Sequence, residues 1–137
     1  MSAAKTFECT LETIKEVRQW IVDNLSAHGT PDNVVSDVVL AASEAVTNAV
    51  VHGYAETRRG RVDLSLEISD GSLVLTIRDY GSGLGRKPYA APDTRIPHEG
   101  GYGVYLVQSL MDEVEMKSLN QGIEVRMKKA FKTGTGS

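Results

Sequence analysis

Residues 61–79 read RVDLSLEISDGSLVLTIRD. Val62, Leu64, Leu66 and Ile68 alternate with Arg61, Asp63, Ser65 and Glu67, the period-two signature of a strand buried on one face. Asp70-Gly71 interrupts the alternation, and this dipeptide favours the two-residue type I′ turn of a β-hairpin. Leu73, Leu75 and Ile77 then form the core-facing set of a second strand, which ends at Arg78-Asp79. The centre of the chain is thereby committed to antiparallel sheet.

On the N-terminal side the period changes. Lys5 to Leu11 reads as a short first strand, and Ile14, Val17, Ile21, Val22 and Leu25 recur at helical spacing from Leu11 to Ala27. His28-Gly29 ends that helix. Thr30-Pro31-Asp32 is a start signal, with Thr30 as N-cap and Pro31 at the first helical position, for a second helix from about Pro31 to His52.

On the C-terminal side, Tyr80 to Gly100 shows no period and carries Gly81, Gly83, Gly85, Pro88, Pro92 and Pro97. A structureless segment of that length inside a compact domain is usually functional or disordered. Val104, Leu106, Val107, Leu110 and Met111 then predict a third helix. Glu113 to Leu119 and Ile123 to Met127 predict two closing strands around Asn120-Gln121-Gly122. The expected fold is α+β, a two-layer α/β sandwich whose antiparallel or mixed sheet is covered by helices on one face. Residues 1–132 form a single domain in this reading, and residues 133–137 a flexible tail.

The bulk numbers agree with one domain: 137 residues, 41% hydrophobic and 24% charged. A chain of this size buries roughly two-thirds of its unfolded surface, so a core forms without covalent staples. Cys9 is the single cysteine and the three histidines are dispersed, which matches no disulfide framework and no structural zinc spacing. No run approaches a membrane span and no signal-peptide pattern opens the chain, so a cytoplasmic protein is expected. A net charge of -3 argues against a general grip on nucleic acid. The basic clusters Arg58-Arg59-Arg61 and Arg126-Lys128-Lys129-Lys132 read as a solvated turn and a sheet edge or tail.

Three groups of residues could carry chemistry. On the second helix, Glu44 and Asn48 lie four apart and stack one turn above the other. Ala41, Ala45, Thr47 and Val51 beside them are small or weakly polar, leaving room for a ligand. On those two residues alone, the plainer reading is a glutamate in water and an asparagine bonded to a loop. His52 before Gly53 reads first as a helix end, where the dipole favours an imidazole and Gly53 supplies the left-handed cap.

Asp79-Tyr80-Gly81-Ser82-Gly83 follows a core strand. Its carboxylate can accept a hydrogen bond from an exocyclic amine, and its glycines admit a flat ligand. The Rossmann spacing is not met, since Arg86 stands where the third glycine belongs. Gly100-Gly101-Tyr102-Gly103-Val104 opens the third helix, where free amides and glycines suit a phosphate; a hinge without ligand fits as well.

In that order the three groups resemble the nucleotide site of the GHKL ATPase superfamily, and most closely the anti-sigma-factor serine kinases of the RsbW and SpoIIAB type. The resemblance is carried by residues 40–111, with weaker agreement from Phe7 to Lys128. It implies a Bergerat-type ATP-binding fold. Asn48 matches the Mg²⁺-ligating asparagine and Glu44 the general base. Asp79, Gly81 and Gly83 match the glycine box that holds adenine, and Gly101, Tyr102, Gly103, Val104 and Leu106 fall in the box that holds phosphates beneath a lid.

Arg18 matches a position that contacts protein partners in relatives. The sequence departs from the pattern at Ile96-Pro97-His98-Glu99, which lacks an arginine often found in related lids. It departs again at Ile123, where a threonine is usual. The implied function is an ATP- and Mg²⁺-dependent protein-serine kinase. It would phosphorylate a STAS-type anti-anti-sigma protein, sequester a sigma factor or comparable regulator, and act as a homodimer, with no direct contact to nucleic acid or membrane. The alternative is a regulator that binds nucleotide and partner without transferring phosphate.

Overall fold

The computed structural model describes residues 1–8, 10–50, 60–81, 109–119 and 121–132. In chain order the elements are β1 (Ser2–Glu8), α1 (Leu11–Ala27), α2 (Asp32–Asn48), β2 (Arg61–Ser69), β3 (Ser72–Asp79), β4 (Glu113–Ser118) and β5 (Ile123–Ala130). The strands form one sheet in the order β1-β2-β3-β5-β4, and every neighbouring pair is antiparallel. The expected two-layer α+β fold is therefore present.

The hairpin that opened the sequence reading sits where its alternation placed it. Leu64 pairs with Ile77, Leu66 with Leu75 and Ile68 with Leu73, so the buried sets of β2 and β3 share one face. Val125 and Met127 of β5 extend that face, and α1 and α2 cover it with Val17, Ile21, Leu25, Val38 and Val46. Each fully buried aliphatic side chain contributes roughly 1.5–3 kcal/mol, so this layer dominates stability. The opposite face is polar and paired across strands, as in Lys128 with Glu113 at 3.5 Å.

Four boundaries or placements differ from the expectation. β1 is Ser2–Glu8 and not Lys5–Leu11, because Leu11 already begins α1 and the strand pairs back to the first residue. Small residues such as Ser2, Ala3 and Ala4 give no alternation signal, yet their backbone still extends the ladder.

Thr30 is not an N-cap. Its N–H donates to Leu25 O at 3.0 Å and that of Gly29 donates to Ser26 O at 3.1 Å, while Gly29 has φ 81. This is a Schellman ending of α1. Pro31 therefore takes the N-cap position, and Thr30 Oγ1 is buried without a partner among the described residues.

The expected second helix reached His52. Regular α2 ends at Asn48, Ala49 and Val50 are wound as π-helix, and His52 lies outside the described residues. Finally, Arg126, Lys128 and Lys129 lie on β5, an inner strand, and not at a sheet edge. Lys129 turns inward to meet Asp37 of α2 at 3.2 Å.

Candidate functional site

Glu44 and Asn48 both occupy the last turns of α2 and are half-buried, not packed into the core. Their helical register is reinforced from inside the chain. Ser43 Oγ donates to Val39 O and Thr47 Oγ1 donates to Ser43 O, each at 2.7 Å. Such back-bonds to a carbonyl four residues earlier tend to bend a helix, and here they precede its π-wound end.

The small residues beside the stripe do not open a space on their own side: Ala41 and Ala45 are 0% and 1% exposed and serve the packed interior. Arg18, the expected partner contact, is exposed. Its Nε nevertheless donates to Ser43 Oγ at 2.8 Å, tying α1 to the residue before Glu44. Nothing in the sequence signalled that bond, because Arg18 and Ser43 lie far apart along the chain.

Asp79 lies at the end of β3, opposite Val62 and therefore on the helix-covered face. It is 2% exposed, and its Oδ1 accepts the N–H of Gly81 at 3.1 Å. That bond makes a tight carboxylate-capped turn of the Asp-x-Gly sequence and fixes one carboxylate oxygen. The end of α2 meets this strand end directly, since Val50 and Tyr80 pack against the fully buried Ala49. Glu44 and Asn48 are thus brought to the same end of the molecule as Asp79. Gly83, Gly101, Tyr102, Gly103, Val104 and Leu106 lie outside the described residues.

Around Asp79 the structure adds residues that the motif reading passed over. Gly122, read as a turn glycine, has φ 86, and a Cβ placed on it would stand 2.0 Å from Asp79 O. Tyr80 lies beneath the guanidinium carbons of Arg61 and Arg78, 4.4 and 4.6 Å from its ring centre. Its hydroxyl donates to Asp63 Oδ2 at 2.6 Å. Burial would raise the Asp63 carboxyl, but the Tyr80 and Thr6 hydroxyls and the charges of Arg61 and Arg78 outweigh it and hold the group below its ordinary value.

The described part of the candidate site is thus a half-buried carboxylate and amide one turn apart on α2, whose end packs against Tyr80, the residue after the buried Asp79. The chain belongs to the histidine kinase-like ATPase domain family, whose model matches residues 7–129. Within that family it is 36% identical over 103 residues to an anti-sigma F factor of Geobacillus stearothermophilus, covering 71% of this chain and 70% of that protein. It is also 36% identical over 105 residues to the serine-protein kinase RsbW of Bacillus velezensis, covering 69% of this chain and 64% of the kinase.

Two solved structures share the fold. One holds the RsbU and RsbW domains of a Mycobacterium tuberculosis protein, with a TM-score of 0.74 and 21% identity over 96% of this chain; this chain spans 32% of that one. The other is the histidine kinase domain of a blue-light activated kinase from Erythrobacter litoralis, with a TM-score of 0.59 and 20% identity, covering 88% of this chain and 60% of that one. Among the described residues no helix is long and apolar enough to cross a membrane.

Proposed function

We propose that the protein is an ATP-dependent protein-serine kinase and anti-sigma regulator. It phosphorylates a STAS-type anti-anti-sigma protein and captures a sigma factor or comparable regulator. The observation that carries the reading is the position of Glu44 and Asn48: half-buried on α2, at the helix end that packs against Tyr80, next to Asp79. The names of the anti-sigma F and RsbW relatives support the choice of partner.

In this reading Asn48 is the protein's oxygen ligand for Mg²⁺, a hard cation that keeps several waters and shares its shell with phosphate oxygens. Held there, Mg²⁺ would supply positive charge against that developing on the transferred phosphoryl group. Glu44 orients the incoming serine hydroxyl and accepts its proton. Asp79 accepts the exocyclic amine of adenine, and the Gly81 turn leaves room for the base.

The test is transfer of labelled γ-phosphate from Mg·ATP to a candidate STAS partner. Glu44→Ala is expected to lower transfer by about 10²–10⁴-fold with ATP still bound. Asn48→Ala is expected to weaken Mg²⁺-dependent ATP binding itself. Wild-type transfer by Glu44→Ala would remove the base assignment, and ATP binding without transfer by the native chain would favour the non-catalytic regulator.

A further inference from the structure

The strand end that carries Asp79 is held in place by its neighbour. Arg78 donates from Nε to Asp79 O at 3.1 Å and from Nη2 to Gln121 O at 2.8 Å, while its guanidinium lies over the Tyr80 ring. Gly122 closes on the same peptide from the β4–β5 turn, where a Cβ would come within 2.6 Å of Asp79 C and Tyr80 Cα. One planar fork therefore joins the Asp79–Tyr80 peptide, the neighbouring turn and an aromatic ring. A lysine, with a single ammonium on a flexible stem, cannot hold all three.

We propose that Arg78 is a positioning residue for base selection. By fixing the Asp79–Tyr80 peptide against Gln121-Gly122, it aims the Asp79 carboxylate at a 6-amino purine. The inference rests on the reading of Asp79 as the base-recognising group. An ionised carboxylate is acceptor-only, so it accepts a hydrogen bond from a 6-amino group and opposes the lone pairs of a 6-oxo group. The strength of that choice depends on direction, because hydrogen bonds weaken steeply as they bend. In this proposal Arg78 acts on the base through Asp79, and its described contacts are with Asp79 O, Gln121 O and the Tyr80 ring.

The experiment measures dissociation constants of ATP and inosine triphosphate, with Mg²⁺, for the full chain and its variants. Arg78→Met and Arg78→Lys are each expected to narrow the preference for ATP by about tenfold, the scale of one charged hydrogen bond, with inosine triphosphate affinity little changed. Adding Arg78→Met to Asp79→Asn is expected to change the ratio by less than about twofold, because the two residues act as one unit.

A ratio that holds in both Arg78 variants while Asp79→Asn collapses it overturns the proposal. If Asp79→Asn itself leaves the ratio intact, the reading of Asp79 fails and the inference fails with it, a separate outcome. Arg78→Lys, which keeps the charge over Tyr80, carries the test if Arg78→Met does not fold.

Discussion

The two hairpin turns at opposite ends of the sheet look alike in sequence and do different work. Asp70-Gly71 joins β2 to β3, and Gln121-Gly122 leads from β4 into β5; both glycines have positive φ, 79 and 86. At Gly71 the nearest atom to an added Cβ is Phe131 O at 3.4 Å, an ordinary contact. At Gly122 the same Cβ would lie 2.0 Å from Asp79 O. The first glycine serves only the geometry of its turn. The second serves its turn and also lets one strand end lie against the backbone of another. The contrast shows that a glycine's φ alone does not tell whether the position belongs to the scaffold or to the site.

The largest expected effect follows from that contrast. Gly122→Ala must displace the Asp79–Tyr80 peptide, and a destabilisation of roughly 4 kcal/mol or more is expected from backbone overlap added to left-handed strain. Urea unfolding measures it, and nucleotide titration of whatever folds should show ATP affinity falling further than the affinity for inosine triphosphate. Gly71→Ala carries only the strain of φ 79, about 1–2 kcal/mol, and should leave nucleotide affinity unchanged. Equal losses at the two positions would erase the distinction between scaffold turn and site turn.

The sequence made the scaffold end readable and the site end only partly so. Alternation from Val62 to Ile77 is a local pattern, with each residue's face set by its neighbours two away, and the observed register follows it. Glu44, Asn48 and Asp79 were legible as types at a spacing.

The long-range bonds that hold their chain neighbours were not. The Arg18–Ser43 bond spans 25 residues and the Arg78–Gln121 bond 43, so neither leaves a periodic trace. Thr30 failed for a related reason: as a β-branched hydroxyl before proline it matches a cap, but its N–H had already been claimed by the carbonyl of Leu25. The basic run on β5 was misplaced because alternation gives a strand its faces and says nothing about its rank in the sheet.

The smallest effect tests whether the site end has its own electrostatic brace. Asp63 accepts from Thr6 Oγ1 at 2.7 Å on β1 and from Tyr80 at 2.6 Å beyond β3, so one carboxylate spans three strands. Its folded pKa is lowered from 3.8, burial being outweighed by those hydroxyls and by Arg61 and Arg78. A depressed carboxylate stabilises the fold at pH above its unfolded value, and the contribution disappears as pH falls through the lower folded value.

The stability gap between the native chain and Asp63→Asn should therefore be constant from about pH 5 to pH 8 and shrink below about pH 4. Because the side chain is one-third exposed, at 33%, the gap is expected to be modest. Combined with Gly71→Ala at the far end of the sheet, Asp63→Asn should add within about 0.5 kcal/mol. A gap that widens toward acid would mean the hydroxyls and guanidiniums do not favour the charged form, and the brace beside Asp79 would then be packing alone.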